Sequence, residues 1–574
     1  MKSVKEVDSS KDDGKAPFDK EKCKEKVQHN VVDDKFKATV VVPKKDEVDL
    51  ESVLRELKIF GRYHIKFMFL IGALTALSMW HSTNYVFAVE NVGYRCKYPN
   101  CGYTELSQLE QNSSLDYKCH KYRLYDDDGS CSEDNFVVSN ATACDEWVYD
   151  RPDSFVAEFN LGCEDWKRTL IGTMHSVGYM IGLFLIGPAS DKFGRKSVIV
   201  FTSVIGAVIG LSKSLVYSYW LYVVLETLEP LLGDCYSATF TISVETVTKE
   251  YRPFIMFVLN LFSTLGGISV ATIAWLAPNW RIFVIAIYAP GLLFILYIFW
   301  MDESLRWLLN KGKKDEVGDV FRQAAKTNNI IIDERKLSNL KCEEDNTNIS
   351  WAASLKMTVS SKKLLLRFLC CICMWFTALF NCYALIINSV SLKGNKYLNY
   401  GLTVLSGIPA SFAILYLLMK FRRKNPLIFA FLMTGTCCMA HSLVPTEYGW
   451  LSILLYVSGT FFSSISMRIV YVYTSELFPT YTRNTMHALC SALGRVSAII
   501  APQTPLLMQY WPGLPSMIMG ILSILTACVV TLLPDTSDEV LPDNVGQAEA
   551  VGKKEKQELC RKMEKRSFDF CSKL

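Results

Sequence analysis

The sequence predicts an all-α polytopic membrane protein, with about twelve transmembrane helices arranged as two six-helix halves. Three observations carry that prediction. The 574 residues are 50% hydrophobic and 12% aromatic, too apolar for an ordinary soluble chain, yet 21% charged, too charged for membrane spans alone. Roughly twelve stretches have the ~20 mostly apolar residues needed to cross a bilayer. They fall as six, a long polar interval and six more, as two repeated halves would.

Residues 1–62 are charged and polar and read as a cytoplasmic tail; no apolar run follows a short basic start, so nothing there reads as a cleaved signal peptide. The first half, 63–301, has spans beginning near Ile65, Thr169, Ser197, Trp220, Pro253 and Ile282, with a long loop over 88–168. Residues 302–365 form a polar cytoplasmic linker with helical patterning and too little bulk for an enzyme domain. The second half, 366–534, has spans beginning near Leu366, Tyr400, Pro426, Gly449, Thr485 and Pro515, and 535–574 is a solvated cytoplasmic tail.

With both termini inside, the short cytoplasmic connections hold Lys192, Arg195, Lys196, Lys249, Arg252, Lys420, Arg422, Arg423, Lys424 and Arg483. The opposite set holds only Lys213, Arg281, Lys393 and Lys396, and the excess of bases inside sets the orientation. The 88–168 loop then lies outside a plasma membrane, where Asn112 and Asn140 sit in glycosylation sequons. Cys96, Cys101, Cys119, Cys131, Cys144 and Cys163 form an even set there for disulfides, with 15 possible pairings. Nucleic acid is excluded as a partner by a net charge of only +4 and by bases without aromatic interleaving. Neither a His-Glu-x-x-His motif, a nucleophile elbow nor a phosphate-cradling Gly-Lys-Ser/Thr loop is found. An enzyme, direct ATP drive, a cofactor and a bound metal are therefore not expected.

After the second span comes Gly187-Pro-Ala-Ser-Asp191-Lys-Phe-Gly194-Arg195-Lys196, a turn with an acid, a glycine and two bases. Glu245 to Arg252 ends the fourth span and Glu476 to Arg483 ends the tenth, with the same acid-to-arginine spacing, an internal repeat in matching places of the two halves. The corresponding loop after the eighth span, Met419 to Lys424, lacks the acid and the glycine, which predicts an asymmetric gate.

Ionisable residues inside spans cost at least roughly 2.5 to 3.5 kcal/mol if they face lipid, so they are expected to face a cavity or a partner. Arg495 lies two to three turns into the eleventh span, with His487, Ser491 and Gly494 near the same face. In the fourth span Glu226, Asp234, Ser237 and Thr241 share a sector of about 80 degrees, with Glu229 nearer the outer boundary. In the seventh, Asn381 recurs at helical spacing with Thr377 and Asn388, and Trp375, Phe376 and Tyr383 offer ring faces to an ammonium. The candidate substrate residues are thus Arg495, Asp234, Glu226, Asn381, Tyr383 and Ser491. Gly178 and Gly182, and Gly266 and Gly267, read as sites of close helix approach.

The Asp191-to-Lys196 turn resembles the loop motif of the major facilitator superfamily. Cys144 to Asp150 with Phe155 to Cys163, Asp302 to Leu309, Trp375 to Tyr383 and Glu476 to Asn484 together resemble its organic-ion transporters, which carry organic cations, organic anions or carnitine-like zwitterions. The resemblance covers about residues 60 to 535 and implies alternating access, with Asp191, Arg195, Glu245, Arg252, Glu476 and Arg483 governing conformational switching. It also implies that Arg495 stands where cation carriers tend to have an Asp and anion- or carnitine-type relatives an Arg. Ser406-Gly407-Ile408-Pro409 replaces a Val-Glu-Phe-Pro of cation carriers, and Glu226, Glu229 and Asp234 stand where relatives are usually basic. The expected function is secondary transport of a small zwitterion or anion across a lipid bilayer, with or without a co-transported or exchanged ion. Organic-cation transport, and a non-transporting receptor on the same fold, are the alternatives.

Overall fold

Long apolar runs fold as helices because a bilayer offers no partner for a free backbone N–H or C=O. The computed structural model describes residues 50–331 and 360–536, apart from 58, 99–103, 107–117, 125–135, 332–334 and 446, together with the isolated positions 335, 337 and 340. Among the described residues ten helices are long and apolar enough to cross a membrane. They are Arg62–Ala88, Asp165–Phe193, Arg195–Lys213, Lys249–Leu276 and Trp280–Trp300 in the first half, and Lys362–Ser391, Lys396–Lys420, Lys424–Leu443, Gly449–Leu477 and Leu514–Thr531 in the second. Their outward faces carry large apolar side chains such as Phe69, Phe184, Phe299 and Met419, as lipid requires.

The fourth and eleventh spans are broken. The fourth runs as Tyr219–Gly233 and Tyr236–Glu245, parted where Asp234 takes an extended backbone (φ −71°, ψ 107°) after Pro230 and Gly233. The eleventh runs as Thr480–Gly494, Val496–Ile500, Ala501–Gln503 and Thr504–Leu507, stepped at Arg495 and again at Pro502 and Pro505. Broken helices survive at membrane depth where they line a cavity. Both charged candidates, Asp234 and Arg495, stand at these breaks.

Each half packs around its own core, the first around Phe67, Ile71, Ile199, Ile242 and Leu259, the second around Met374, Trp375, Phe431, Ile469 and Tyr473. A third cluster joins them, with Tyr85, Phe87, Tyr222 and Tyr288 against Phe380, Leu385, Tyr400 and Tyr456. Gly178 lets the second span meet the fourth: a β-carbon there would lie 2.1 Å from the Thr227 carbonyl oxygen.

In the loop after the first span, strand β1 (Tyr94–Cys96) pairs antiparallel with β4 (Trp147–Tyr149), and β2 (His120–Leu124) with β3 (Phe136–Ala143). Disulfides join Cys96 to Cys144 and Cys119 to Cys163. Cys101, Cys131 and Asn112 lie outside the described residues, and Asn140 falls in β3. Within the stretch read as an N-terminal tail, Leu50–Glu56 is helical; its Leu50, Val53 and Leu54 pack on Leu305, Leu308, Val317 and Phe321 of the linker.

Candidate functional site

A cavity of about 220 Å³ lies between the halves, walled by Ser82, His81, His175, Tyr179, Glu229, Asp234, Tyr236 and Asn260 from the first half and by Tyr383, Ile386 and Ala498 from the second. The first-half wall therefore carries both acids. Asp234 is 7% exposed; its Oδ1 accepts the Tyr236 N–H at 2.9 Å at the start of the second piece of the fourth span, while Oδ2 is buried with no hydrogen-bond partner among the described residues.

Two arginines of the second half lie near the cavity without lining it. Arg495 stands one turn from the cavity-lining Ala498, with its guanidinium 5.2 Å from the centre of the Tyr179 ring that lines the opposite wall. Among the described residues no acid lies within 4.0 Å of it, and Asp234 is near enough for the two charges to feel each other. Arg468, in the tenth span, spans the halves: it donates to Ser411 Oγ of the eighth span and, at 3.1 Å, to Asn260 Oδ1 of the fifth. It too lacks an acidic partner among the described residues. Neither arginine belongs to the cavity wall itself: the two acids line it from the first half, and Arg495 stands one turn from the wall residue Ala498 in the second.

Glu226 departs from the expected role. It is fully buried and absent from the cavity wall: Oε2 accepts from Lys213 Nζ at 2.8 Å, and Oε1 lies 3.1 Å from Asn84 Nδ2 and 2.9 Å from His175 Nδ1. A carboxylate so saturated has nothing left for a solute. Glu229, expected nearer the outer boundary, takes its place in the wall. Lys213, read as an external-loop base, is 0% exposed at the end of the third span and also donates to the Tyr288 hydroxyl at 2.8 Å. Its sequence position at a span boundary concealed its partner.

Asn381 and Ser491 also depart from expectation. Asn381 is fully buried and donates to Ser523 Oγ of the twelfth span at 2.7 Å, while Thr377 meets Thr526 at 2.7 Å and Asn388 donates to Thr504 at 2.7 Å, so the polar stripe of the seventh span glues helices together. Ser491 lies outside the cavity wall, and its neighbours Gly494 and His487 face Trp375, a fully buried core residue whose indole N–H donates to Thr474. Tyr383 lines the cavity from the seventh span, together with Ile386 and Ile387. His81, His175 and Arg468 carry the same signal that marks Arg495 in the sequence, an ionisable group inside an apolar span, but were not among the expected site residues.

On the side opposite the disulfide-bonded loop, Gly194 (φ 101°) turns the chain between the second and third spans, a conformation that favours glycine. Arg195 then meets Asp191 at 2.9 Å and both oxygens of Glu245 at 3.1 Å. Glu303 accepts the Arg195 and Lys196 N–H groups at 2.8 and 3.1 Å, an acid at the positive end of the third span, and Ser304 donates to Glu245. The second half repeats the core of this arrangement. Arg423 meets Glu476 at 3.3 Å, and its Nη1 donates to the carbonyl five residues back, Leu418, just as Arg195 donates to Ser190. The predicted asymmetry is thus limited to the missing aspartate and glycine. Arg252 makes no ion pair among the described residues; in both halves the acid of the repeat is held by an arginine of the preceding turn.

The chain matches the sugar (and other) transporter family over residues 117–542. It is 28% identical to an organic cation transporter protein of Drosophila melanogaster over 529 residues, 88% of this chain and 95% of that one. It is 30% identical to solute carrier family 22 member 1 of Oryctolagus cuniculus, covering 71% and 74%, and 26% identical to organic cation/carnitine transporter 2 of Homo sapiens, covering 87% and 94%. Among solved structures, a proton:xylose symporter of the major facilitator superfamily superposes with a TM-score of 0.52 at 15% identity, covering 83% of this chain and 98% of that one, a likeness of fold alone.

Proposed function

The chain belongs to the sugar (and other) transporter family and, within it, to the organic-ion carriers of solute carrier family 22, and from that premise we propose that it carries a small zwitterion of amino-acid-like or carnitine-like type by alternating access. The family and its curated members are transporters, not enzymes. The observation that supports the reading is unlike charge at the cavity: in the first-half wall a buried Asp234 oxygen with no donor among the described residues, and beside the second-half wall residue Ala498 an Arg495 with no acid within 4.0 Å among the described residues, its guanidinium over the wall residue Tyr179. The solute's carboxylate meets the Arg495 fork, and its amine meets Asp234 and the ring faces of Tyr179 and Tyr383. A volume of about 220 Å³ suits a solute smaller than a drug.

The orientation read from the loop bases belongs to the same proposal: plasma membrane, both termini cytoplasmic, the disulfide-bonded loop outside and the arginine turns inside. Organic-cation transport is the second reading, favoured by the two acids in the cavity wall and by the names of the Drosophila and human relatives. Uptake by proteoliposomes of carnitine, a simple carboxylate and a tetraalkylammonium separates them. Carnitine uptake well above that of the tetraalkylammonium supports the proposal. Robust transport of the permanent cation, undiminished in Arg495→Ala, refutes it and restores the cation reading; binding without flux of any solute indicates a receptor.

A further inference from the structure

We propose that Glu229, flanked by His81 and His175, is a proton-binding site in the cavity wall, and that this proton is exchanged for the solute's positive end. The exchange rests on the carrier reading above; the site itself does not.

The argument begins with a count of buried charge. Glu226 and Glu229 are 0% and 1% exposed, one turn apart on the fourth span, and Lys213 is the cation set between them. Its Nζ is 2.8 Å from Glu226 but 3.9 Å from Glu229. Lys213 therefore answers Glu226, which Asn84 and His175 also satisfy. Glu229 is left with two imidazoles, His81 Nδ1 at 3.5 Å and His175 Nδ1 at 3.7 Å, and the Tyr288 hydroxyl, and its Oε2 takes no hydrogen bond among the described residues. Two carboxylates against one ammonium leave a negative charge unanswered in a low-dielectric interior, and one proton removes it. The groups facing Glu229 are His81 from the first span, His175 from the second, Lys213 from the third and Tyr288 from the sixth, with Tyr222, Asp234 and Cys235 on its own span. Apart from Lys213 these are neutral or acidic groups and imidazoles, so among the described residues no second fixed cation competes with the proton.

The donor atoms of His175, Glu226 and Glu229 lie within 4.8 Å of one another, a spacing that a divalent ion could use. Lys213 already holds the Glu226 face of that triangle, and its ammonium would repel a dication. A proton meets the same charge deficit without displacing it. Access is built in: His81, His175 and Glu229 all line the cavity, and His81 Nε2 has no partner among the described residues. Asp234 lies in the same wall, so an ammonium arriving there adds positive charge beside Glu229 and drives its proton off. The consequence is exchange, solute in for proton out.

The test uses the purified full-length chain in lipid. In pH-difference infrared spectra from about pH 8 to pH 5, a carboxylic-acid C=O band should grow in, vanish in Glu229→Gln and persist in Asp234→Asn. Should Glu229→Gln misfold, His81→Asn should move the midpoint of the same band by about one pH unit, by removing a group 3.5 Å away. A band absent at every pH, unchanged in Glu229→Gln, or erased by Zn²⁺ alone would overturn the proton site. In proteoliposomes with an acidic lumen, a gradient of one pH unit should raise carnitine accumulation up to about tenfold, and Glu229→Gln should remove that gain. Accumulation indifferent to the gradient, or driven by an alkaline lumen, overturns the exchange. A titrating Glu229 band without flux of any solute leaves the site standing and refutes the carrier reading instead.

Discussion

Replacing Lys213 with Met isolates the energetics of the buried charge cluster. The ammonium is fully buried, bonded to Glu226 at 2.8 Å and to the Tyr288 hydroxyl at 2.8 Å, and 3.9 Å from Glu229. Met fills most of the stem volume, so the loss is electrostatic rather than a cavity. Removing one partner of a buried pair costs about 3–5 kcal/mol, because the other charge stays buried and unanswered. For a six-helix half of this size each kcal/mol corresponds to roughly 2–4 °C, so thermal unfolding of purified protein should fall by about 6–20 °C. The double variant Lys213→Met/Glu226→Gln removes both charges and leaves the proton balance at Glu229 as it was. It forfeits neutral hydrogen bonds worth about 1 kcal/mol each and should recover at least half of the loss. If Lys213→Met unfolds within about 2 °C of wild type, or the double variant loses the sum of the singles, the pairing is not what holds the third and fourth spans together.

Arg495→Ala should cut uptake of zwitterions and anions by at least about tenfold, since a charged hydrogen bond is worth about 1.5–3 kcal/mol, and Arg495→Asp should admit simple cations; unchanged carnitine uptake in Arg495→Ala would demote it to a structural residue. Arg195→Ala, Arg423→Ala and Glu476→Gln should slow turnover at saturating solute while leaving equilibrium binding within about twofold, because these groups meet each other at the helix turns rather than the cavity; weakened binding with normal exchange rates would reverse that assignment. Glycosidase treatment of surface-expressed protein should raise its gel mobility, and Asn112→Gln with Asn140→Gln should abolish the change; no change in the native chain would count against both the glycans and the orientation.

The sequence by itself determined the architecture. Apolar runs of bilayer length leave the chain little freedom beyond helices, and the Glu245-to-Arg252 and Glu476-to-Arg483 repeat marked the two halves. It also located Arg495 and Asp234, because an ionisable residue deep in an apolar span is conspicuous in one dimension. What it could not supply was pairing. Whether Glu226 faces a solute or a lysine depends on where Lys213, His175 and Asn84 arrive from three other spans, and helical periodicity gives a face without naming its neighbour. The same gap made Asn381 resemble a ligand residue when Ser523 claims it, and hid from the asymmetric loop after the eighth span that Arg423 takes up the place of Arg195, against Glu476. Spacing along a chain records the charges a protein buries; only the packing of the spans decides which of them neutralise each other and which are left facing the cavity.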